Sequence, residues 1–175
     1  MSLVFLLGGA RSGKSALAVE LASQGEVPVV FVATAEARDD EMRARIAAHR
    51  QERPADWQTV EVPLELGDAL QAIDPAATVV VDCLSLWVAN LLEAEVEVEP
   101  KARQVARLAA ARRGRTIAVS NEVGLGLVPM NALGRRYRDL LGRTNMIWAA
   151  SAAQSFLIVA GRALPLQSAS HFLDD

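Results

Sequence analysis

The sequence predicts a single α/β domain of the P-loop NTPase type, with a mostly parallel central sheet and flanking helices. Three observations predict it. Short apolar runs at Leu3–Leu7, Val27–Ala33 and Thr78–Val81 alternate with segments of helical spacing, as strands buried on both faces do. The first run leads straight into Gly8-Gly9-Ala10-Arg11-Ser12-Gly13-Lys14-Ser15, which fits G-x-x-x-x-G-K-[ST] at every fixed position. The chain has 175 residues, 51% of them hydrophobic, with no internal repeat and no long linker, so it suits one core.

The elements follow in order. Leu3–Leu7 reads as a buried strand and Ser15–Ser23 as a helix, with Leu17, Val19 and Leu21 among alanines. Val27–Ala33 is a second buried strand. Asp39–Arg53 is charged, with Met42 and Ile46 four apart, and reads as an exposed helix stopped by Pro54. Trp57–Val62 returns as a short strand, Leu64–Ile73 as a helix, and Thr78–Val81 as a third buried strand ending at Asp82. Leu84–Leu92 reads as helix, Glu93–Glu99 as an acidic surface loop, and Lys101–Arg113 as a basic amphipathic helix. Thr116–Val119 is a fourth buried strand. Asn131–Arg143 is a helix carrying arginines, and Met146–Ala150 and Phe156–Ala160 are expected as late strands. Residues 1–167 form the expected domain, and 168–175 is a tail without pattern.

Composition narrows the function classes. A formal net charge of −3 gives no electrostatic reason to expect nucleic-acid binding. The single cysteine, Cys83, lies in an apolar run; it excludes an intramolecular disulfide and fits a reducing cytoplasm. No apolar run reaches the roughly 18 residues of a membrane span, and no basic region precedes the first apolar stretch as in a signal peptide.

The glycine-rich turn carries the first chemistry. Its glycines allow a tight fold in which backbone N–H groups face phosphate oxygens, at a helix N-terminus whose partial positive charge favours an anion. Lys14 supplies a full charge for the β- and γ-phosphates, and Ser15 a hydroxyl for Mg²⁺. Asp82, closing an apolar strand, is the expected second Mg²⁺ contact, though many strands end in an aspartate that only caps a turn.

A second segment surrounds His49. Arg45, His49 and Arg53 are spaced to share one helix face, and Arg50 and Arg53 can grip phosphate. An imidazole among arginines can attack phosphorus; a solvated charged helix with an idle histidine is the plain alternative. Ser120-Asn121-Glu122-Val123-Gly124, after the fourth strand, should face the same cleft, where Asn121 and Glu122 can meet a hydroxyl or Mg²⁺ or merely form a turn.

Four segments together make the chain similar to a known family: GGARSGKS at 8–15, ATAEARDDEMRARIAAHRQERPADWQTVEVP at 33–63, VVVDCLSLWVANLL at 79–92 and VSNEVGLGLVPMNALGRRYRDLLGRTN at 119–145. The chain resembles the bifunctional adenosylcobinamide kinase / adenosylcobinamide-phosphate guanylyltransferase family of cobalamin biosynthesis, from about Leu3 to Gln167. The resemblance implies a RecA-like fold and a homotrimer. It implies phosphorylation of adenosylcobinamide by GTP or ATP, then transfer of GMP from GTP to adenosylcobinamide phosphate through a guanylylated histidine. The products are adenosylcobinamide-GDP and pyrophosphate. The guanylylated histidine falls on His49. Guanine-nucleotide contacts fall on Gly8, Gly9, Ala10, Arg11, Ser12, Gly13, Lys14 and Ser15, on Ala33, Thr34 and Ala35, on Arg50, Gln51, Glu52 and Arg53, and on Glu61 and Asp82. Catalysis is assigned to His49 and Lys14, with Mg²⁺ on Ser15 and Asp82. Two other readings remain: a P-loop small-molecule kinase without nucleotidyl transfer, which has no evident use for His49, and a non-catalytic GTP-binding protein, for which neither an N-K-x-D motif nor a switch segment is seen.

Overall fold

The computed structural model describes residues 3–25, 28–37, 40–51 and 53–172, without the side chains of Glu41, Met42, Arg45, Ala48, His49, His171 and Phe172. The elements are β1 (Leu3–Gly8), α1 (Lys14–Ser23), β2 (Val29–Ala33), α2 (Asp40–Gln51), β3 (Gln58–Glu61), α3 (Leu66–Ala72) and β4 (Thr78–Asp82). They continue with α4 (Leu84–Glu93), α5 (Val98–Ala111), β5 (Thr116–Asn121), α6 (Ala132–Ser151), β6 (Gln154–Val159) and β7 (Arg162–Pro165), and a 3₁₀ turn at Ala169–Phe172.

The seven strands form one sheet in the order β3-β2-β4-β5-β1-β6-β7, parallel throughout except for the β6–β7 pair. This is the α/β P-loop fold expected. One strand, β5, separates the P-loop strand β1 from the Asp82 strand β4, which is the RecA-like arrangement. Both faces of the sheet are covered, which is why β2, β4 and β5 read as continuous apolar runs. On one face Leu3, Phe5, Val30, Val79 and Val81 pack with Leu66, Trp87, Leu91, Val105, Leu141 and Trp148 from α3 to α6. On the other, Leu6, Phe31, Val80, Ile117 and Ile158 pack with Ala18 and Ala22 of α1. Each such large apolar side chain contributes about 1.5–3 kcal/mol when fully buried.

Four expectations differ. Met146–Ala150 is not a strand: α6 runs on to Ser151, because Leu141, Thr144, Asn145 and Trp148 bury one helical face while Met146 stays 73% exposed. The acidic segment Glu93–Glu99 is a loop only until α5 starts at Val98, which is buried; Glu99 sits in the first helical turn, where a carboxylate is favoured, and accepts from Arg143 at 2.6 Å. β5 runs two residues past Val119, so Ser120 and Asn121 belong to the strand. An exposed antiparallel edge strand, β7, follows β6.

Candidate active site

The carboxyl edge of the sheet gathers the candidate residues. β1 ends at Gly8, where a Cβ would lie 2.3 Å from the Ile158 carbonyl oxygen and 2.9 Å from Ser12 Oγ, so no larger residue fits. Gly13 caps α1 at φ 99°, a conformation natural to glycine, and no side chain caps the helix. The first N–H groups of α1 are therefore left for an anion. The turn between β6 and β7 braces the loop: Gly161 N–H donates to Ser12 O at 2.9 Å. Lys14 is only 6% exposed and spans the loop, its Nζ donating to Gly9 O at 2.6 Å and Ser12 Oγ at 3.3 Å. Burial holds the Lys14 ammonium below its ordinary pKa, partly offset by Cys83 and Asp82 nearby. Phosphate oxygens would restore the missing opposite charge. The Ser15 hydroxyl, half-buried at the start of α1, has no hydrogen-bond partner among the described residues.

Asp82 closes β4 in register with Ala33 of β2 on one side and Val119 of β5 on the other. The loop beyond it is tightly tied. The peptide Asp82–Cys83 is cis. Thr34, wholly buried, donates its hydroxyl to Cys83 O at 2.7 Å and accepts from Cys83 N at 3.0 Å. Its N–H donates to Asp82 O at 3.2 Å, and its carbonyl accepts from Asn90 Nδ2 at 2.9 Å. Thr34 thus serves the loop after β4 with its hydroxyl, its N–H and its carbonyl. Ala33 is buried and Ala35 half-buried beside it.

A polar cluster continues toward α6. Cys83 Sγ lies 2.8 Å from Ser85 Oγ, and burial, with Asp82 nearby, raises the thiol pKa. Asn121 Nδ2 donates to Ser85 Oγ at 3.0 Å, and Tyr137 OH donates to Ser85 O at 3.1 Å. Ser120 Oγ donates to Asn145 Oδ1 at 2.6 Å while Asn145 Nδ2 donates to Asn121 O at 3.1 Å. Glu122 closes its own turn: its Oε1 accepts from Gly124 N and from Leu125 N.

The His49 segment lies at the other end of the edge. Arg50 Nη2, near the end of α2, donates to Glu61 Oε1 at 3.3 Å, and both side chains are exposed. Glu61 closes β3, four strands along the sheet from Gly8, roughly 19 Å at about 4.8 Å per strand. Gln51 ends α2 exposed. Arg53 is not at the edge: its guanidinium carbon lies 3.3 Å from the ring centroid of Phe31, on the α1 face of the sheet. His49 lies in α2 with its side chain outside the described part, and Glu52 lies outside the described residues. Three of the four arginines of α6 turn to neighbours of their own: Arg135 to Pro129 O and Met130 O, Arg138 to Asp139, and Arg143 to Glu99.

The structure therefore brings together Gly8–Ser15 and Asp82, with Cys83, Ser85, Asn121, Tyr137 and Asn145, and leaves Arg50 and Glu61 as a separate pair. Sequence reasoning missed Ser85, Asn90, Tyr137 and Asn145. The available signal was polar residues inside otherwise apolar stretches, as Ser85 and Asn90 are in α4.

The chain is similar to known proteins along most of its length. Residues 4–166 match the family described as cobinamide kinase / cobinamide phosphate guanyltransferase. The bifunctional adenosylcobalamin biosynthesis protein CobP of Pseudomonas aeruginosa is 43% identical over 93% of this chain and 95% of its own. The bifunctional adenosylcobalamin biosynthesis proteins CobU of Escherichia coli K12 and of Salmonella typhimurium are 37% and 38% identical, each over 91% of this chain and 96% of its own. Among solved structures, a protein from Pyrococcus horikoshii OT3 matches with TM-score 0.53 and 12% identity, over 96% of this chain and 87% of that one. An ATPase of the type III secretion system of pathogenic bacteria matches with TM-score 0.51 and 9% identity, over 98% and 61%. These two likenesses show the fold alone. The chain is an enzyme and belongs to the cobinamide kinase / cobinamide phosphate guanyltransferase family.

Proposed function

We propose that the protein phosphorylates the hydroxyl of adenosylcobinamide with GTP or ATP, then transfers GMP from GTP to adenosylcobinamide phosphate through guanylylated His49. The observation that carries the reading is the buried Lys14, held against its own loop by Gly9 O and Ser12 Oγ beside an uncapped helix N-terminus. Such a charge is arranged for a triphosphate, and family membership names the acceptor.

In the first half-reaction the acceptor oxygen bonds to the γ-phosphorus and the bond to the β,γ-bridging oxygen breaks, its electron pair leaving with the nucleoside diphosphate. Lys14 and the α1 N–H groups offset the charge gathering there. In the second, a His49 ring nitrogen bonds to the α-phosphorus as pyrophosphate leaves, and the corrinoid phosphate oxygen then displaces the imidazole to give adenosylcobinamide-GDP. The Arg50–Glu61 pair that ties α2 to β3 is exposed and worth at most about 1 kcal/mol, so that pair offers little resistance to an approach of α2 to the cradle.

The residues present fit Mg²⁺. Among the described residues no three His, Cys, Asp or Glu gather as a dedicated cage. An unpartnered Ser15 hydroxyl and the Asp82 carboxylate suit an ion that keeps several waters and takes its other ligands from phosphate. There it would neutralise charge on the phosphates. A homotrimer is the expected assembly; Leu125, Leu127, Met130 and Leu133, exposed by 63–96%, are the apolar surface available for it. Leu127→Ser with Met130→Ser should lower the sedimenting mass to a monomer.

The deciding experiment supplies adenosylcobinamide, Mg²⁺ and GTP labelled at the α-phosphate. The expected result is an acid-labile, base-stable label on the wild-type protein and a GDP-linked corrinoid. His49→Ala should retain the kinase step and lose the label; a labelled His49→Ala protein would refute the assignment. No helix among the described residues is long and apolar enough to cross a membrane.

A further inference from the structure

The strand between the P-loop strand and the Asp82 strand ends in a side chain with an open valence. Asn121 closes β5 in register with Gly8, and the next N–H, of Glu122, donates to Gly8 O at 3.0 Å. Asn121 is thus one strand spacing from the first residue of the cradle. On its other side lies β4, whose last residue Asp82, with Cys83 just after it, is close enough to Lys14 to act on its charge. The end of β5 therefore lies between the strand that leads into the cradle and the strand that ends at Asp82, on the edge where a γ-phosphate and its acceptor would meet.

Asn121 is also held unusually firmly. Its carbonyl accepts from Asn145 Nδ2 of α6 at 3.1 Å, and its carboxamide nitrogen donates to Ser85 Oγ at 3.0 Å. Ser85 is itself anchored through its carbonyl by Tyr137 and through its hydroxyl by the Cys83 thiol. With the nitrogen committed, the carboxamide oxygen has no partner among the described residues, and the side chain is half-buried. An oxygen acceptor does not bind phosphate oxygens, which are acceptors too. It fits a donor or a cation; Ser15 and Asp82 already suit the cation, and the donor that a phosphoryl-transfer site must orient is the attacking hydroxyl.

We propose that Asn121 orients the hydroxyl acceptor of the phosphoryl-transfer half-reaction through its carboxamide oxygen, and that Ser85 is the positioning residue that sets the carboxamide. The inference rests on the functional reading above. The acceptor O–H donates to Asn121 Oδ1, which aims a lone pair of the same oxygen at the γ-phosphorus. The O–P bond forms, the bond to the bridging oxygen breaks, and the nucleoside diphosphate takes the electron pair. The amide holds the proton by a hydrogen bond without accepting it; the proton leaves late, to solvent, as a loose transition state allows. In guanylyl transfer the attacked phosphorus is two phosphates away, and Asn121 has no part in it.

The test assays the halves separately, with adenosylcobinamide for the kinase step and adenosylcobinamide phosphate for guanylyl transfer. In Asn121→Ala, kcat of the kinase step should fall on the order of 10²-fold, with KM for the triphosphate unchanged. Guanylyl transfer and the melting temperature should stay near wild type. Ser85→Ala, which leaves Asn121 in place, should lose less and only in the kinase half; it also carries the test if Asn121→Ala does not fold. Equal loss in both half-reactions, or no loss in either, overturns the proposal. Wild-type protein that makes no phosphorylated cobinamide overturns the functional reading and this inference with it; an active wild type beside an equally active Asn121→Ala overturns the inference alone.

Discussion

Thr34 and Cys83 are joined by a reciprocal pair of hydrogen bonds: the Thr34 hydroxyl donates to Cys83 O at 2.7 Å and accepts from Cys83 N–H at 3.0 Å. One buried hydroxyl thereby satisfies both backbone groups of the residue after Asp82, and the end of β2 fixes where the Asp82 carboxylate stands. Thr34→Val keeps the shape and removes both bonds. The buried Cys83 N–H is left unpaired, while Cys83 O keeps the Trp87 N–H at 3.3 Å, for a loss of about 1–3 kcal/mol. Thr34→Ser, which keeps the oxygen, should retain most of the stability. Urea midpoints of the three proteins decide the matter: a Val variant as stable as the Ser variant would show that the hydroxyl is not what holds this loop.

Tyr137 can be watched alone, since it is the only tyrosine in the chain. Burial, then Cys83 nearby, pushes its phenol from 10.0 up to about 12. The native state thus keeps a proton that the unfolded chain loses between these values. Its stabilising contribution is complete below pH 10 and is lost as the pH rises toward about 12. Ultraviolet titration of native protein should show no phenolate near pH 10, and chemically unfolded protein should show it there. A native midpoint at the ordinary value would mean that the Tyr137 phenol is not buried as the structure has it.

The readable and unreadable parts of the site separate by chain distance. Gly8–Ser15 is a local pattern whose context, strand before and helix after, lies within a few residues, so the phosphate cradle could be placed directly. The partners of Asp82 could not. Thr34 meets Cys83 across 49 residues and Asn121 meets Ser85 across 36, through strand neighbours that adjacency in sequence does not reveal. Met146–Ala150 resembles a strand for a related reason. The buried face of α6 includes Thr144 and Asn145, polar at core positions, which hides the helical stripe and leaves a bare apolar run that looks like a strand. Asn145 pins Ser120 and Asn121, so a polar anchor interrupts the pattern that would have revealed the helix.

Gly8→Ala tests how closely the cradle is packed. Its Cβ would stand 2.3 Å from the Ile158 carbonyl oxygen, a backbone atom that cannot swing aside. The strands β1 and β6 must separate locally, at about 1–3 kcal/mol for such overpacking. Triphosphate affinity should fall along with the melting temperature, because the same shift moves Ser12. Gly9→Ala is the control: nothing lies within 4 Å of its added methyl, and stability should hold.

Lys14 gives the cradle a pH dependence of predictable sign. Its burial lowers the pKa from 10.5, so in the empty protein the ammonium loses its proton earlier than in the unfolded chain. The unfolded state binds more protons in that window, and stability of the empty protein rises with pH through it. Triphosphate binding reverses the balance. Four negative charges beside Nζ would raise its pKa, so binding takes up a proton wherever the free Lys14 is neutral. Affinity should therefore fall as the pH rises through the depressed value, which lies below 10.5. Calorimetric titrations in buffers of different ionisation enthalpy read the proton uptake directly. Lys14→Arg, which stays charged, should bind without the alkaline decline, and Lys14→Met should lose affinity at every pH. Wild-type affinity that is level up to 10.5, with no proton taken up, would show that the ammonium is already stabilised by its own loop and that burial has not depressed it.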